Sequence, residues 1–400
     1  MESGQALQAS LLRSSDLNFA PKRNMLLRLI RAAQPITRTD IADRLKIDKS
    51  TVTEVVRPLI DRDILREDVL EPGTPGRRPR ALTFSAEDHY FVGVNLGVRH
   101  TQVGVTNLSG NISHDDEFET PTDSGRALKI VREKISEIVR DRPDKTLGMI
   151  GVSVPGMADT TRRELVYAPN LNWRNVAIAE NIQQITQAPI IVENDSAAAA
   201  MFEARVKVGE TSDASASNFV LVRSGTGIGV GLVIGGEVYR GTGAGSGIAG
   251  EFGHMTIVAG GKICVCGNRG CWERYASAAS AASLYLGDRP LRPGETLPRF
   301  VEIVAKAENG DIRSRRTLEK IGDYLGIGIA NVIMGTGVPR VIISGRLVYG
   351  WELIVEPLHA AVRRSIVGKF DGWSVEPGSP SGSALGGALE IAVEGFLSTV

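Results

Sequence analysis

Cysteine is nearly absent from this 400-residue chain: there are three, and all fall between residues 264 and 271. No apolar run approaches the roughly 20 residues that span a bilayer, and the opening MESGQALQASLLRSSDLN lacks the apolar core of a secretory signal. These absences exclude a spanning helix and point to the reducing cytoplasm as the setting for the thiols. Net charge is lacking too, at +0, but it is unevenly spread: residues 22–80 carry 14 Lys/Arg against 9 Asp/Glu, and the remainder is acidic by the same margin. A modestly basic N-terminal module on an acidic body points to nucleic acid at that end. With 42% hydrophobic and 23% charged residues the composition is that of an ordinary globular protein, with room for about two or three domains.

Residues 1–20 are polar and aperiodic and read as a flexible arm. From Pro21 the pattern turns helical, with Met25, Leu26, Leu29 and Ile30 on one face. After a turn at Pro35, Ile41, Ala42 and Leu45 mark a short second helix, capped by Thr37 or Thr39. A third helix opens near Asp48 or Ser50, and Val52, Val55, Val56, Leu59 and Ile60 give it a buried stripe. Pro58 removes a helical donor there, so this helix is expected to kink or end early. Ile64–Glu67 and Ala81–Phe84 read as two strands of a wing joined by EPGTPGRRPR. Three helices and a wing make a winged helix-turn-helix over residues 21–85, hence a DNA-binding head. Lys49, Ser50, Thr51 and Thr53 then stand nearest the bases and Arg57 on phosphate. Arg77, Arg78 and Arg80 at the wing tip suit phosphates or the minor groove.

From Tyr90 strands alternate with helices. FVGVNLGVRHTQVGVTNLSG reads as two strands and a turn, and FVLVRSGTGIGVGLVIGGEVYRG, from Phe219, repeats the plan. Gly97, Gly104 and Gly110 roughly match Gly225, Gly231 and Gly236, which suggests a duplicated α/β fold. A helix near Arg126–Arg140, the strands LGMIGVSV, PIIVEND and RVIISG, and the helices SAAAAMFEAR and LGGALEIAVEGF complete the expected elements. The glycine runs at Gly225–Gly229 and up to Gly250 lack the spacing and context of a dinucleotide fingerprint, and tight turns explain them. Asn194-Asp195, at the end of PIIVEND, sit where open α/β sheets present ligand-binding groups, although Asn and Asp also cap helices. Asp195 has the chemistry of a general base toward a sugar hydroxyl, with Asn194 holding a neighbouring one.

The three cysteines lie in GEFGHMTIVAGGKICVCGNRGCWERYA, Gly250–Ala276, with His254 ten residues before Cys264. Three thiolates and an imidazole (His254, Cys264, Cys266, Cys271) are a closed, structural zinc donor set. Such a site would hold Glu251 and Glu273 near each other, beside Asn194 and Asp195, as a cluster for a polyol.

GEFGH…CVCGNRGCWE, with ENDSAAAA, SGTGIGVG, VPG and PNLNW, resembles the ROK family of repressors, open reading frames and sugar kinases. The head ending GRRPRAL is similar to its repressor branch, which includes xylose-type and N-acetylglucosamine-type regulators. The resemblance implies an actin/hexokinase-like (ribonuclease H-like) body of two α/β lobes, residues 88–205 with about 380–400, and 206–379 with the zinc segment. It places sugar contacts on Gly156, Asn170, Asn194, Asp195, Glu251, His254 and Glu273, and the zinc ligands on the four residues named above. It also implies operator DNA and a sugar or sugar derivative as partners, a homodimer or homotetramer, and a cytoplasmic, sugar-responsive regulator of carbohydrate uptake or catabolism genes. The alternative is an ATP-dependent sugar kinase that kept a DNA-binding head. One departure separates the two. The family's kinases carry Asp-x-Gly-Gly-Thr in the first hairpin, whereas this chain has Asn95-Leu96-Gly97-Val98-Arg99. That removes a carboxylate suited to magnesium and puts a branched side chain where bare backbone should meet phosphate. No ATP is expected to bind and no enzymatic activity is expected; Asp195 is left as a vestigial base.

Overall fold

The computed structural model describes residues 19–69, 80–85, 88–210, 217–242, 247–287, 289, 291, 296–380 and 383–399. The N-terminal arm up to residue 18, the wing tip with Arg77 and Arg78, and residues 243–246 of the second glycine run lie outside these. No helix among the described residues is long and apolar enough to cross a membrane.

The head is built as its periodicity dictates. Helices α1 (Phe19–Ala33), α2 (Arg38–Leu45) and α3 (Lys49–Ile60) bury Leu26, Leu29 and Ile30, Ile41 and Ala42, and Val52, Val55, Val56 and Leu59 in one core. Thr37 caps α2 through a reciprocal pair with Asp40, satisfying an otherwise orphan backbone donor. Pro58 lies in the last turn of α3, and the helix runs two residues past it to Ile60, so the lost donor does not break it. The wing strands β2 (Leu65–Val69) and β3 (Arg80–Phe84) pair antiparallel, and the short β1 (Ile36–Thr37) adds to β3.

The body contains two five-stranded sheets of the same design. In lobe one, β4 (His89–Leu96), β5 (His100–Thr106), β6 (Ile112–Glu119), β7 (Thr146–Val154) and β11 (Ile190–Asn194) stand in the order β11-β7-β4-β5-β6. In lobe two, β12 (Phe219–Ser224), β13 (Ile228–Ile234), β14 (Glu237–Val238), β15 (Arg340–Gly345) and β16 (Ser374–Pro377) stand as β16-β15-β12-β13-β14. In each sheet the first strand is antiparallel to the second and parallel to the fourth, so the duplication legible in the two glycine hairpins extends to the whole sheet. Helix α4 (Ser124–Arg140), capped by Asp123, covers the outer face of lobe one. Between β7 and β11, β8 (Met157–Ala158), β9 (Leu165–Ala168) and β10 (Trp173–Val176) form a small sheet followed by α5 (Ile178–Ile182).

Two helices cross between the sheets. α6 (Asp195–Glu210) lies against β13 and β12, and the C-terminal helix, α12 (Ser383–Leu397), lies against β4 and β7. Glycine makes their crossing intimate: a β-carbon on Gly387 would stand 2.7 Å from the Ala198 backbone carbonyl carbon. In lobe two, α7 (Glu273–Ala276), α8 (Ser280–Leu286), α9 (Phe300–Glu308), α10 (Ile312–Thr336) and α11 (Trp351–Arg364) pack on the other face around Trp272, Leu325 and Ile329.

The head docks on both lobes through α1. Arg28 donates to both carboxylate oxygens of Glu394 on α12 and to the Gly236 carbonyl in the β13–β14 turn of lobe two. Arg31 pairs with Glu390 on α12 and donates to the Leu108 carbonyl at 2.9 Å, while Arg205 of α6 takes the other Glu390 oxygen at 3.0 Å. Arg28 and Arg31 are buried, and their burial is tolerated because each faces a carboxylate.

Candidate functional site

Between the lobes lies a cleft of about 570 Å³, and all seven residues expected to contact sugar line it: Gly156, Asn170, Asn194, Asp195, Glu251, His254 and Glu273. Each is placed by its own local device. Asn194 ends β11, and its Oδ1 accepts from the amides of Ser196 and Ala197 at 2.8 and 3.1 Å, so it does cap α6. Its Nδ2 meanwhile donates to the Gly156 carbonyl at 3.0 Å, which ties the cap to the end of the neighbouring strand β7. Capping and site-building are one contact network here. Asn170 sits in the β9–β10 turn, which is anchored by buried Trp173 donating to the Thr122 carbonyl at 2.7 Å. Glu251 and His254 occupy a single 3-10 turn against β13. Glu273 opens α7 immediately after Trp272, whose indole N–H reaches the Tyr324 carbonyl at 2.9 Å inside the lobe-two core.

Asp195 has a partner that the sequence reading missed. Arg223 on β12 donates from Nη1 to Asp195 Oδ2 at 2.6 Å, and Ser196 Oγ is 3.1 Å from Oδ1. Both carboxylate oxygens are therefore engaged, and Arg223 lines the cleft itself. The available signal was a lone charge at the end of an apolar strand, FVLVRS, two residues before the Gly225 turn.

The metal candidates also converge. One donor atom from each of His254, Cys264, Cys266 and Cys271 lies within 4.8 Å of the others. Cys266 and Cys271 sulfurs are 3.7 Å apart, against about 3.8 Å for the edge of a tetrahedron with Zn–S near 2.3 Å. Gly267 (φ +92°) and Gly270 (φ +80°) make the left-handed turns that fold the chain back on itself. The donor set and spacing fit zinc. His254 turns Nδ1 toward Cys264 Sγ (3.5 Å) and Nε2 toward Glu251 (3.8 Å), so one ring faces both the thiols and the cleft. Burial, then the carboxylate of Glu273 at 3.0 Å, pushes the Cys264 thiol well above its usual range, and burial raises Cys271 as well. A bound cation reverses that balance. Burial, with Asp195 and Glu273 adding to it against the opposing effect of His254, raises the Glu251 carboxyl. Such a group is suited to share a hydroxyl proton.

In the first hairpin, buried Asn95 accepts from Ser153 Oγ at 2.9 Å and donates to Gln102 at 3.2 Å. Arg99 points to solvent. On the head, Lys49, Ser50, Thr53 and Arg57 are exposed on one side of α3 and Thr51 is half-buried. Thr53 Oγ1 donates to the Lys49 carbonyl (2.9 Å) and accepts from Arg38 (3.2 Å), and Arg80 donates to the Glu67 carbonyl (2.8 Å) at the root of the wing.

A winged helix docked on a duplicated, two-lobed body with a polar interlobe cleft defines a ligand-binding regulator architecture. Comparison with known proteins makes the class specific. Residues 91–393 match the ROK family and residues 21–67 the MarR family. The chain is 30% identical over 393 residues to the xylose repressor of Bacillus subtilis, covering 96% of this chain and 99% of that one. It is 28% identical over 290 residues to a glucokinase of Streptomyces coelicolor, covering 69% of this chain and 88% of the enzyme. Among solved structures, a ROK family transcriptional regulator, a homologue of the E. coli MLC protein, superposes with a TM-score of 0.74 at 23% identity, covering 95% of this chain and 97% of the other. The chain belongs to the ROK family.

Proposed function

We propose that this protein is a sugar-responsive transcriptional repressor of carbohydrate uptake or catabolism genes, acting on operator DNA in the cytoplasm as a homodimer or homotetramer. The observation that carries this reading is the union, in one chain, of a docked winged helix with a polar interlobe cleft whose would-be base is tied up by Arg223. The similarity to a xylose repressor along nearly the whole chain supports it. Helix α3 enters the major groove with Lys49, Ser50, Thr51 and Thr53 toward base edges and Arg57 on phosphate, and the wing with Arg77, Arg78 and Arg80 follows the backbone or minor groove.

In the cleft, Asn170, Asn194, Asp195, Glu251, His254 and Glu273 hold sugar hydroxyls, with the Gly156 backbone closing one side. Zinc at His254, Cys264, Cys266 and Cys271 supplies a structural crosslink that fixes His254 and Glu273. The sugar favours one closure of the lobes, and α1, which is bonded to both, carries that difference to the head. Release requires only unequal affinity of the sugar for the two closures.

Similarity to a glucokinase raises the kinase alternative. Two side-chain arrangements argue against it. Asn95 offers no carboxylate to magnesium and is occupied by Ser153 and Gln102, and Asp195 would have to shed Arg223 before taking a proton. The test is a gel shift on the DNA upstream of the protein's own gene, titrated with a panel of sugars, beside a coupled ATP assay. Asp195→Ala and Glu251→Ala should bind DNA as the parent does and lose release by sugar, with no ATP turnover in the parent. Normal release in both variants overturns the assigned cleft. Turnover at about 1–100 per second overturns the non-catalytic reading.

A further inference from the structure

A second cavity, of about 520 Å³, lies on the other side of Asn194 from the effector cleft and is lined by both lobes. Lobe one contributes Arg162 and Glu193, and lobe two contributes Tyr239 and Arg240. Its wall carries two arginines and two carboxylates, Glu193 and Asp159, but only Glu193 faces the guanidinium groups. Glu193, only 4% exposed, accepts from Arg240 Nε at 2.6 Å and from its neighbour's amide at 3.1 Å, and it stands 3.0 Å from Arg162 Nη2. One carboxylate thus serves two guanidinium groups. The alignment to Arg162 is poor: beyond this ion pair, its buried Nε and Nη2 meet no well-aligned acceptor among the described residues. Asp159, the other carboxylate of the cavity wall, accepts from the amides of its own turn, Thr161, Arg163 and Glu164, at 2.9, 2.7 and 2.7 Å. Among the described residues Arg240 Nη2 finds only the Met201 sulfur, at 3.8 Å. Buried guanidinium N–H groups without acceptors cost free energy, and two neighbouring cations that share the Glu193 carboxylate add repulsion. Burial, and Arg240 beside it, hold Arg162 below the ordinary guanidinium range despite the opposing pull of Glu193.

The geometry points to a second ligand site here, for a small oxyanion whose phosphate or carboxylate group is held by Arg162 from one lobe and Arg240 from the other. Planar guanidinium forks are matched to such groups, and an oxyanion supplies acceptors that the shared Glu193 carboxylate alone does not. Because the ligand is clasped by both lobes, it biases the same closure as the sugar, and the two ligands are coupled through it. The site stands independently of the identity of the sugar.

The test uses the full-length protein and isothermal calorimetry with inorganic phosphate and with citrate, each against sodium chloride of equal ionic strength. The two arms separate phosphate from carboxylate recognition. One equivalent of at least one anion should bind, with affinity reduced tenfold or more in Arg162→Gln and Arg240→Gln. Asp195→Ala, in the other cleft, should bind the anion as the parent does. Thr160→Glu guards against misfolding of the arginine variants: Thr160 is an exposed residue of the cavity rim, and a carboxylate tethered there should abolish anion binding while the protein stays folded. Heats no greater than the chloride control overturn the proposal. So does binding that survives Thr160→Glu, or binding lost in Asp195→Ala but kept in the arginine variants.

Discussion

Replacing Arg28 by alanine tests how the head is held. The side chain is 3% exposed, and its loss removes two bonds to Glu394 and one to the Gly236 carbonyl. Glu394 then stays in the interface between α1 and α12 without a cation. Removing one member of a buried pair costs about 3–5 kcal/mol, chiefly because the remaining charge is uncompensated. For a cooperative unit of this size that lowers the melting temperature by on the order of 10 °C. Differential scanning fluorimetry or calorimetry at neutral pH measures it. Burial already raises the Glu394 carboxyl above the ordinary range, with Arg28 pulling the other way. Without Arg28 it rises further. A carboxyl group whose folded-state pKa exceeds its unfolded one makes the folded state the better proton acceptor, so that state gains on acidification and loses as pH rises through the raised pKa. The deficit of Arg28→Ala against the parent should therefore shrink as pH is lowered from about 8 to about 5. The double variant Arg28→Met/Glu394→Leu, which removes both charges, should recover most of the loss. A melting temperature within about 2 °C of the parent, or a deficit that does not respond to pH, refutes the buried-pair account.

Two further outcomes follow from the site geometry. Cys264→Ser should drop bound zinc, measured by inductively coupled plasma mass spectrometry, from about one per chain to a small fraction, and should lower the melting temperature of the cleft-bearing lobe. A metal-free parent protein with unchanged melting would count against the zinc assignment. Arg57→Ala should weaken operator and random DNA alike and reduce the salt slope of binding by about one unit; a change confined to one operator base pair would move Arg57 from phosphate to base readout.

Much of this arrangement is written in local patterns. The stripe from Val52 to Ile60, the paired glycine hairpins and the crowded cysteines each report their own element, because period, turn and donor set are short-range properties. Asn194, Asp195, Glu251 and Glu273 could be grouped from residue type and the zinc motif, but Asn170 joined them only through family resemblance. No spacing in the chain says that a β9–β10 turn and a 3-10 turn meet across a cleft. Other features are hidden for a physical reason. β6, with the sequence ISHDDEFE, is an edge strand whose polar side chains mask its alternation. Arg28 and Arg31 read as the solvated face of an amphipathic helix, since Glu390 and Glu394, which permit their burial, are some 360 residues away. Arg223 stands out only as a lone charge ending an apolar strand; its role is hidden for the same cause, because its partner Asp195 belongs to the other lobe.

The crossing of α6 and α12 carries a consequence for what kind of message can leave the cleft. At Gly387 the two helices touch backbone to backbone, and beside that point the Phe202 ring of α6 sits against Gly386 while Arg205 bonds Glu390. Sliding one helix along the other would drive main-chain atoms into contact and pull this ion pair apart. The joint is stiff in translation, so a change of angle about this contact is the movement it leaves to the lobes.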